Sequence, residues 1–199
     1  MALLLIPFVA VAMALPPDYR LLHEGEDCVV SIGPGRTDAP RRVRAECTWA
    51  EIDLVKARAV LSDFVSYSTF IPNIRTATIV RDEGHRKLVF QEHDIPLFSD
   101  REVQLWMSVL DHDTGGFTVS WVKSDEPFEP SRGHAAVKFN EGRWEVGPAS
   151  DGGIHVIHEI AYDPGVMVPD WMVRRYRTNG VMTVMRNVRS LAGGAGAGP

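Results

Sequence analysis

The chain has 199 residues, a formal net charge of −5 and a pI near 5.8; 45% of its residues are hydrophobic and 24% charged. That length holds one domain with or without a targeting segment, and the apolar content can bury a core without obligatory disulfides. The acidic balance, with both signs interspersed, excludes the basic face expected of a nucleic-acid binder.

The first element is the apolar run from Ala2 to Leu15. Its roughly 14 residues fall short of the ~20 that cross a bilayer as a helix. It ends in Ala12-Met13-Ala14, a small-x-small pattern, followed by Leu15-Pro16-Pro17. This predicts a signal peptide spanning residues 1–14, cleaved after Ala14, and export to a periplasm or the exterior. No Lys or Arg precedes the run, so a second reading stays open: an uncleaved, membrane-associated or buried helix.

Two strand-like arms follow, about Asp27–Ile32 and Arg42–Trp49, separated by a Gly/Pro/Asp loop. A hairpin pairing Val30 with Ala45 and Ile32 with Val43 sets Cys28 opposite Cys47 on one apolar face. Close Cα atoms permit a disulfide, and an exported protein would form it. In a cytosolic protein the same pair reads as two free buried cysteines. Two isolated cysteines are too few for a zinc site.

From Glu51 to Ile74, apolar residues at Ile52, Val55, Ala59, Val60, Phe64, Tyr67 and Phe70 predict two short helices ending before Pro72. Asp53 or Glu51 sits where a carboxylate favours the first N-terminus. Beyond Pro72 the period changes to two. "TATIV", "KLVFQEHDI", "REVQLWMSVLD", "FTVSWVK", "HAAVKF", "RWEVGP" and "IHVIHEIAY" predict seven strands in one antiparallel meander. The intervening turns include "HDTGG", "NEG" and "SDGG". The stretch from Val168 to Ala192 predicts a long helix striped by Val181, Val184, Met185, Val188 and Leu191, with Gly180 as its weak point. Residues 193–199 form a flexible Gly/Ala tail.

The order is hairpin, helices, strands, long helix. It predicts an α+β protein whose curved antiparallel sheet wraps a C-terminal helix and leaves an apolar cavity between them. Asp163-Pro164-Gly165 makes a sharp joint and Pro169 opens the helix, so this segment fixes how the helix lies over the sheet.

The segment Asp163, Pro164, Gly165, then Val168-Pro169, then Trp171-Met172-Val173 resembles the START family of lipid-transfer domains, members of the SRPBCC superfamily with the helix-grip fold. Pro96, Leu97, Ser99, Arg101 and Glu102 are similar to its Pro–Leu–Ser–x–Arg–Asp segment, and Gly142, Trp144 and Pro148 to its Gly-x-Trp-x-x-x-Pro strand. The resemblance covers about residues 50–192, most of a START-like domain spanning 15–192. Val166 departs from the family's second glycine. The resemblance implies a tunnel holding one hydrophobic molecule, such as a sterol or phospholipid, gated by the last helix and a nearby loop. It implies no cofactor and no covalent chemistry, and a monomer making transient contact with a membrane surface.

Candidate cavity residues are Val103, Leu105 and Met107 on one strand face, Val119 and Trp121 on the next strand, and Trp171, Met172, Met182 and Met185 on the last helix. Each could equally be plain core. Arg101 and Glu159 are the polar cavity candidates: Arg101 reads either as a head-group ligand or as a surface ion pair with Asp100 or Glu102, and pointing inward it needs a carboxylate such as Glu159. His155 and Glu159 share one strand face and His158 the other, which rules out a helical H-x-x-H metal pair. Glu92 and Asp94, facing away from His93, form either an acid–base pair or a solvated edge. The chain has no G-x-S-x-G elbow and no phosphate loop opening a helix. The leading expectation is lipid binding; the alternative is an SRPBCC-type cyclase or hydrolase using the same cavity.

Overall fold

In the computed structural model, residues 15–25, 27–150 and 152–194 are described. The apolar N-terminal run and the end of the tail lie outside them. Strands β1 (Arg20–Glu24), β2 (Cys28–Ile32) and β3 (Val43–Trp49) come first, then helix α1 (Leu54–Ser62), a 3-10 turn (Phe64–Ser66) and α2 (Tyr67–Phe70). Strands β4 (Ile74–Asp82), β5 (Lys87–His93), β6 (Arg101–Asp111), β7 (Phe117–Lys123), β8 (Ala135–Ala136), β9 (Phe139–Pro148) and β10 (Ile154–Asp163) follow. The last helix comprises α3 (Asp170–Arg175), a π-helical turn (Tyr176–Gly180) and α4 (Val181–Ala192).

All ten strands join one sheet in the order β1-β2-β3-β10-β9-β7-β6-β5-β4, with β8 paired to β6. Every pairing but that of β8 is antiparallel. The helical crossover carries the chain from β3, inside the sheet, to β4 at its far edge. The sheet curls strongly. Three strands separate β5 from β10, yet His93 Nδ1 on β5 lies 2.9 Å from the Tyr162 hydroxyl on β10.

The β2–β3 register is the one the sequence predicts: Cys28 opposes Cys47, Val30 opposes Ala45 and Ile32 opposes Val43. The cysteines form a disulfide with Cα atoms 4.1 Å apart. Asp53 caps α1 by accepting the Lys56 N–H at 2.8 Å. Val55, counted in the predicted apolar stripe, projects into solvent.

The meander departs from expectation at one place. "HAAVKF" is no independent strand. Only Ala135–Ala136 bridge to β6, in parallel, and Phe139 already belongs to β9. Asn140-Glu141-Gly142, expected to turn, runs through β9 as extended chain. Gly142 is there for space rather than for a turn. A Cβ at this position would sit 2.3 Å from the Glu159 carbonyl oxygen and 2.3 Å from the Trp121 ring. A strand glycine commonly marks such a close approach.

Val181, Val184, Met185, Val188 and Ala192 of α4 are buried against the core. No residue of α3 or of the π turn is buried. The last helix is therefore packed more tightly along its second half than along its first.

Candidate ligand cavity

A cavity of about 80 Å³ lies under the π turn. Its floor is the inner sheet face: Gln91 and His93 of β5, Leu105 and Met107 of β6, Trp121 of β7, Asn140 of β9, and His158, Ile160 and Tyr162 of β10. The segment from Ile71 to Ile74 and Ile95 form one wall, while Tyr176, Gly180, Val181 and Val184 form the roof.

Alternation along each strand places these side chains. On β10, His158, Ile160 and Tyr162 face in, so Glu159 must face out. On β5, Gln91 and His93 face in and Glu92 faces out, where Arg75 pairs with it at 3.1 Å. The Glu92/Asp94 pair thus belongs to the outer edge, and the Arg75 guanidinium lies among Glu92, Asp94 and Asp100.

Polar groups cross the apolar floor in one connected line. The Tyr162 hydroxyl donates to His93 Nδ1, and His93 Nε2–H donates to Gln91 Oε1 at 3.0 Å. Both ring nitrogens are engaged in this neutral tautomer, and burial pushes the His93 pKa down to about 4. Burial also raises Tyr162 far above a free phenol. Trp121 Nε1 donates to Asn140 Oδ1 at 2.9 Å. His158 is sandwiched between the rings of Trp144 and Trp121, at 3.9 and 5.8 Å, and burial depresses its pKa to about 3. Its Nδ1 is fully buried.

The predicted positions divide. Leu105, Met107 and Trp121 border the cavity. Val103, Val119 and Met185 lie in the surrounding core, and Met182 packs against that core. Trp171 is 54% exposed on α3, and neither it nor Met172 borders the cavity.

Arg101 is buried, as an inward-pointing residue would be, but it meets no carboxylate. Its Nε donates to the Pro164 carbonyl at 2.9 Å, and one terminal nitrogen donates to the Ser99 carbonyl and hydroxyl, both at 2.6 Å. It ties the Ile95–Ser99 loop to the Asp-Pro-Gly joint, where Asp163 Oδ1 accepts the Gly165 N–H at 2.8 Å and Gly165 takes φ +77°. Glu159, the partner expected for it, lies on the other face of β10. There it accepts from Tyr19 Oη at 3.2 Å and pairs with Arg44 and Arg143 at 3.1 Å each. It is an anchor of the outer sheet face and not a cavity residue.

Sequence reading weighed His93 and His158 without assigning either to the cavity, and it did not single out Gln91, Asn140 or Tyr162. The signal present was period-two alternation, which groups Gln91 with His93 and His158 with Tyr162. Which group faces inward depends on the curl of the sheet.

The sequence matches no protein-family model and no curated protein. Solved structures match over most of the chain. The STAR-related lipid transfer protein of Xanthomonas axonopodis superposes with a TM-score of 0.75 at 16% identity, covering 88% of this chain and 98% of that one. Human StAR-related lipid transfer protein 5 gives 0.78 at 14% identity, covering 88% and 86%. The Zhui aromatase/cyclase of Streptomyces sp. R1128 gives 0.57 at 14% identity, covering 76% and 93%. At these identities the likeness is one of fold: a curled antiparallel sheet gripping a C-terminal helix, with the cavity between them, gives this chain the helix-grip fold of START domains and the wider SRPBCC superfamily.

Proposed function

We propose that the protein binds one hydrophobic molecule in this cavity and releases it at a membrane surface. The observation that carries the reading is an apolar cavity roofed jointly by the buried start of α4 and by a π-helical turn none of whose residues is buried. At about 80 Å³ the space is smaller than the ~300 Å³ of a typical ligand pocket. Loading therefore requires the roof to lift. The π turn is the place for it: π-turns are rare, tend to occur at functional sites, and here carry Gly180, the least helix-favouring residue after proline. A Cβ on Gly180 would lie 3.4 Å from the Tyr176 ring.

Gly180→Ala should favour the helix by up to ~1 kcal/mol and slow ligand uptake several-fold without weakening the final complex. Stopped-flow uptake of a fluorescent lipid measures this; an unchanged rate would show that the π turn is not the hinge. In the same terms, amides of residues 170–180 should exchange with deuterium faster than those of 181–192, and ligand should slow them.

The outer side of the roof supports membrane contact. Met167 is 92% exposed, Trp171 54%, and Leu97 82% at the tip of the neighbouring loop, where it holds φ +73° at a cost. Arg174 and Arg175 stand beside them with no carboxylate partner among the described residues. Exposed apolar side chains rimmed by cations suit an anionic bilayer surface. The disulfide is consistent with an oxidising compartment, and we infer that residues 1–14 direct export there and are removed.

A second reading, an enzyme on the same scaffold, draws on the Tyr162–His93 pair in the cavity. A base near pKa 4 beside a phenol raised by burial is poorly matched to proton transfer at neutral pH, which favours the carrier.

Native mass spectrometry of the purified protein tests the reading. A stoichiometric lipid should co-purify, and Met107→Trp, which puts an indole into the cavity, should abolish it while near-UV circular dichroism stays native-like. An empty wild-type protein that takes up no sterol, phospholipid or fatty acid would sink the carrier reading.

A further inference from the structure

Every polar group facing the cavity is uncharged. Gln91 and Asn140 carry amides, Tyr162 and Tyr176 keep their protons, and His93 and His158 are neutral. The nearby ions are turned elsewhere. Arg101 gives its guanidinium to the Pro164 and Ser99 carbonyls, and Glu159 lies on the outer face with Arg44 and Arg143. An ionised head group entering this space would find no counter-ion, and burying an unpaired charge is strongly unfavourable.

The hydrogen-bond inventory shows what is left over. Tyr162 uses its proton on His93, leaving lone pairs on its oxygen. His93 has no nitrogen free. Gln91 and Asn140 use their oxygens, on His93 and Trp121, and neither amide nitrogen has a partner among the described residues. Asn140 and Tyr162 are directly opposed in the β9–β10 ladder, so their side chains emerge side by side. His158 Nδ1, four residues back on the same face as Tyr162, is fully buried and does not open onto the cavity. The cavity therefore offers amide donors next to an acceptor oxygen. A hydroxyl both donates and accepts, so it matches this set; an ether oxygen only accepts, and a carboxylate adds a charge.

We infer that the cavity selects an uncharged amphipathic ligand, an apolar body bearing a hydroxyl group, and that Gln91, Asn140 and Tyr162 recognise that hydroxyl. The inference rests on the carrier reading and narrows it: a neutral alcohol of the sterol or fatty-alcohol kind is accepted, whereas a phosphate- or carboxylate-bearing lipid is rejected.

The test is a matched series bound to the purified protein and followed by calorimetry: 1-dodecanol, dodecanoate and dodecyl methyl ether, with cholesterol and cholesteryl sulfate as a second body. The expected result is that each alcohol binds, that its charged counterpart binds at least ~100-fold more weakly, and that the ether binds roughly 3- to 10-fold more weakly than the alcohol. Tyr162→Phe should narrow the gap between alcohol and ether while leaving the ether's affinity in place. A charged member binding within about tenfold of its alcohol, or an ether binding as well as the alcohol to the wild type, would overturn the inference and leave the carrier reading standing. Failure of every member of both bodies to bind would remove both. The wild-type series decides the matter even where the variant proves too unstable to use.

Discussion

Acidification from about pH 6.5 to about pH 4.5 should cost this protein on the order of 5 kcal/mol of stability, and two buried histidines should account for it. His93 and His158 are both held neutral by burial, at about 4 and about 3. In the unfolded chain each has a value near 6.5. Above that value neither state binds the proton, and the full stability is present. Below it the unfolded chain takes up a proton at each site that the folded chain refuses, so stability falls by about 1.4 kcal/mol per pH unit per histidine until the folded values are reached. Against a total of ~5–15 kcal/mol, that removes at least about a third of the stability by about pH 4.5. Urea titrations across this range measure the slope. His158→Phe keeps a ring between Trp121 and Trp144 and removes the buried imidazole. It should flatten the slope by about half without lowering stability at neutral pH. A wild-type stability that is level between those two pH values would contradict the account.

Replacing both Cys28 and Cys47 by alanine should destabilise the fold by about 3 kcal/mol. The bridge closes a loop across a sequence separation of 19 residues, and restricting the unfolded chain to that extent accounts for roughly this amount in the chain-entropy model. Both cysteines are buried, so the lost packing adds to it. For a chain of this size the melting temperature should drop by roughly 6 to 12 °C, and reductant should do the same to the wild type. The effect reaches the cavity, because the bridged strand β3 pairs with β10 over Ile154 to Ile160, and β10 carries His158. A loss below about 1 kcal/mol in the double variant, with no response to reductant, would mean that the thiols are free in the working protein.

Much of the fold was legible because its determinants are local. Alternation identified the strands of the meander. The 3.6-residue stripe of Val181, Val184, Met185, Val188 and Leu191 marked the buried half of the last helix; α4 buries the first four and Ala192, while Leu191 is partly buried. Hairpin pairing set Cys28 against Cys47. Proline's fixed φ and glycine's tolerance of positive φ marked the Asp-Pro-Gly joint, and Gly165 takes φ +77°.

The misreadings have a shared physical origin. Gly142 looked like turn chemistry, since a missing Cβ has the same spelling whether it frees φ or makes room for the Trp121 ring. Arg101 looked in need of a carboxylate, yet three oxygens of Ser99 and Pro164 serve a guanidinium as well. Glu159 was placed inside for lack of knowledge of which β10 face the helix covers. The Tyr162–His93 contact joins strands with three others between them. Period, cap and turn are properties of a few neighbouring residues, and the sequence by itself determined them. Curl, facing and the polar line across the cavity arise from how ten strands close around one helix, and only the tertiary structure decided those, because no stretch of chain contains both partners of such a contact.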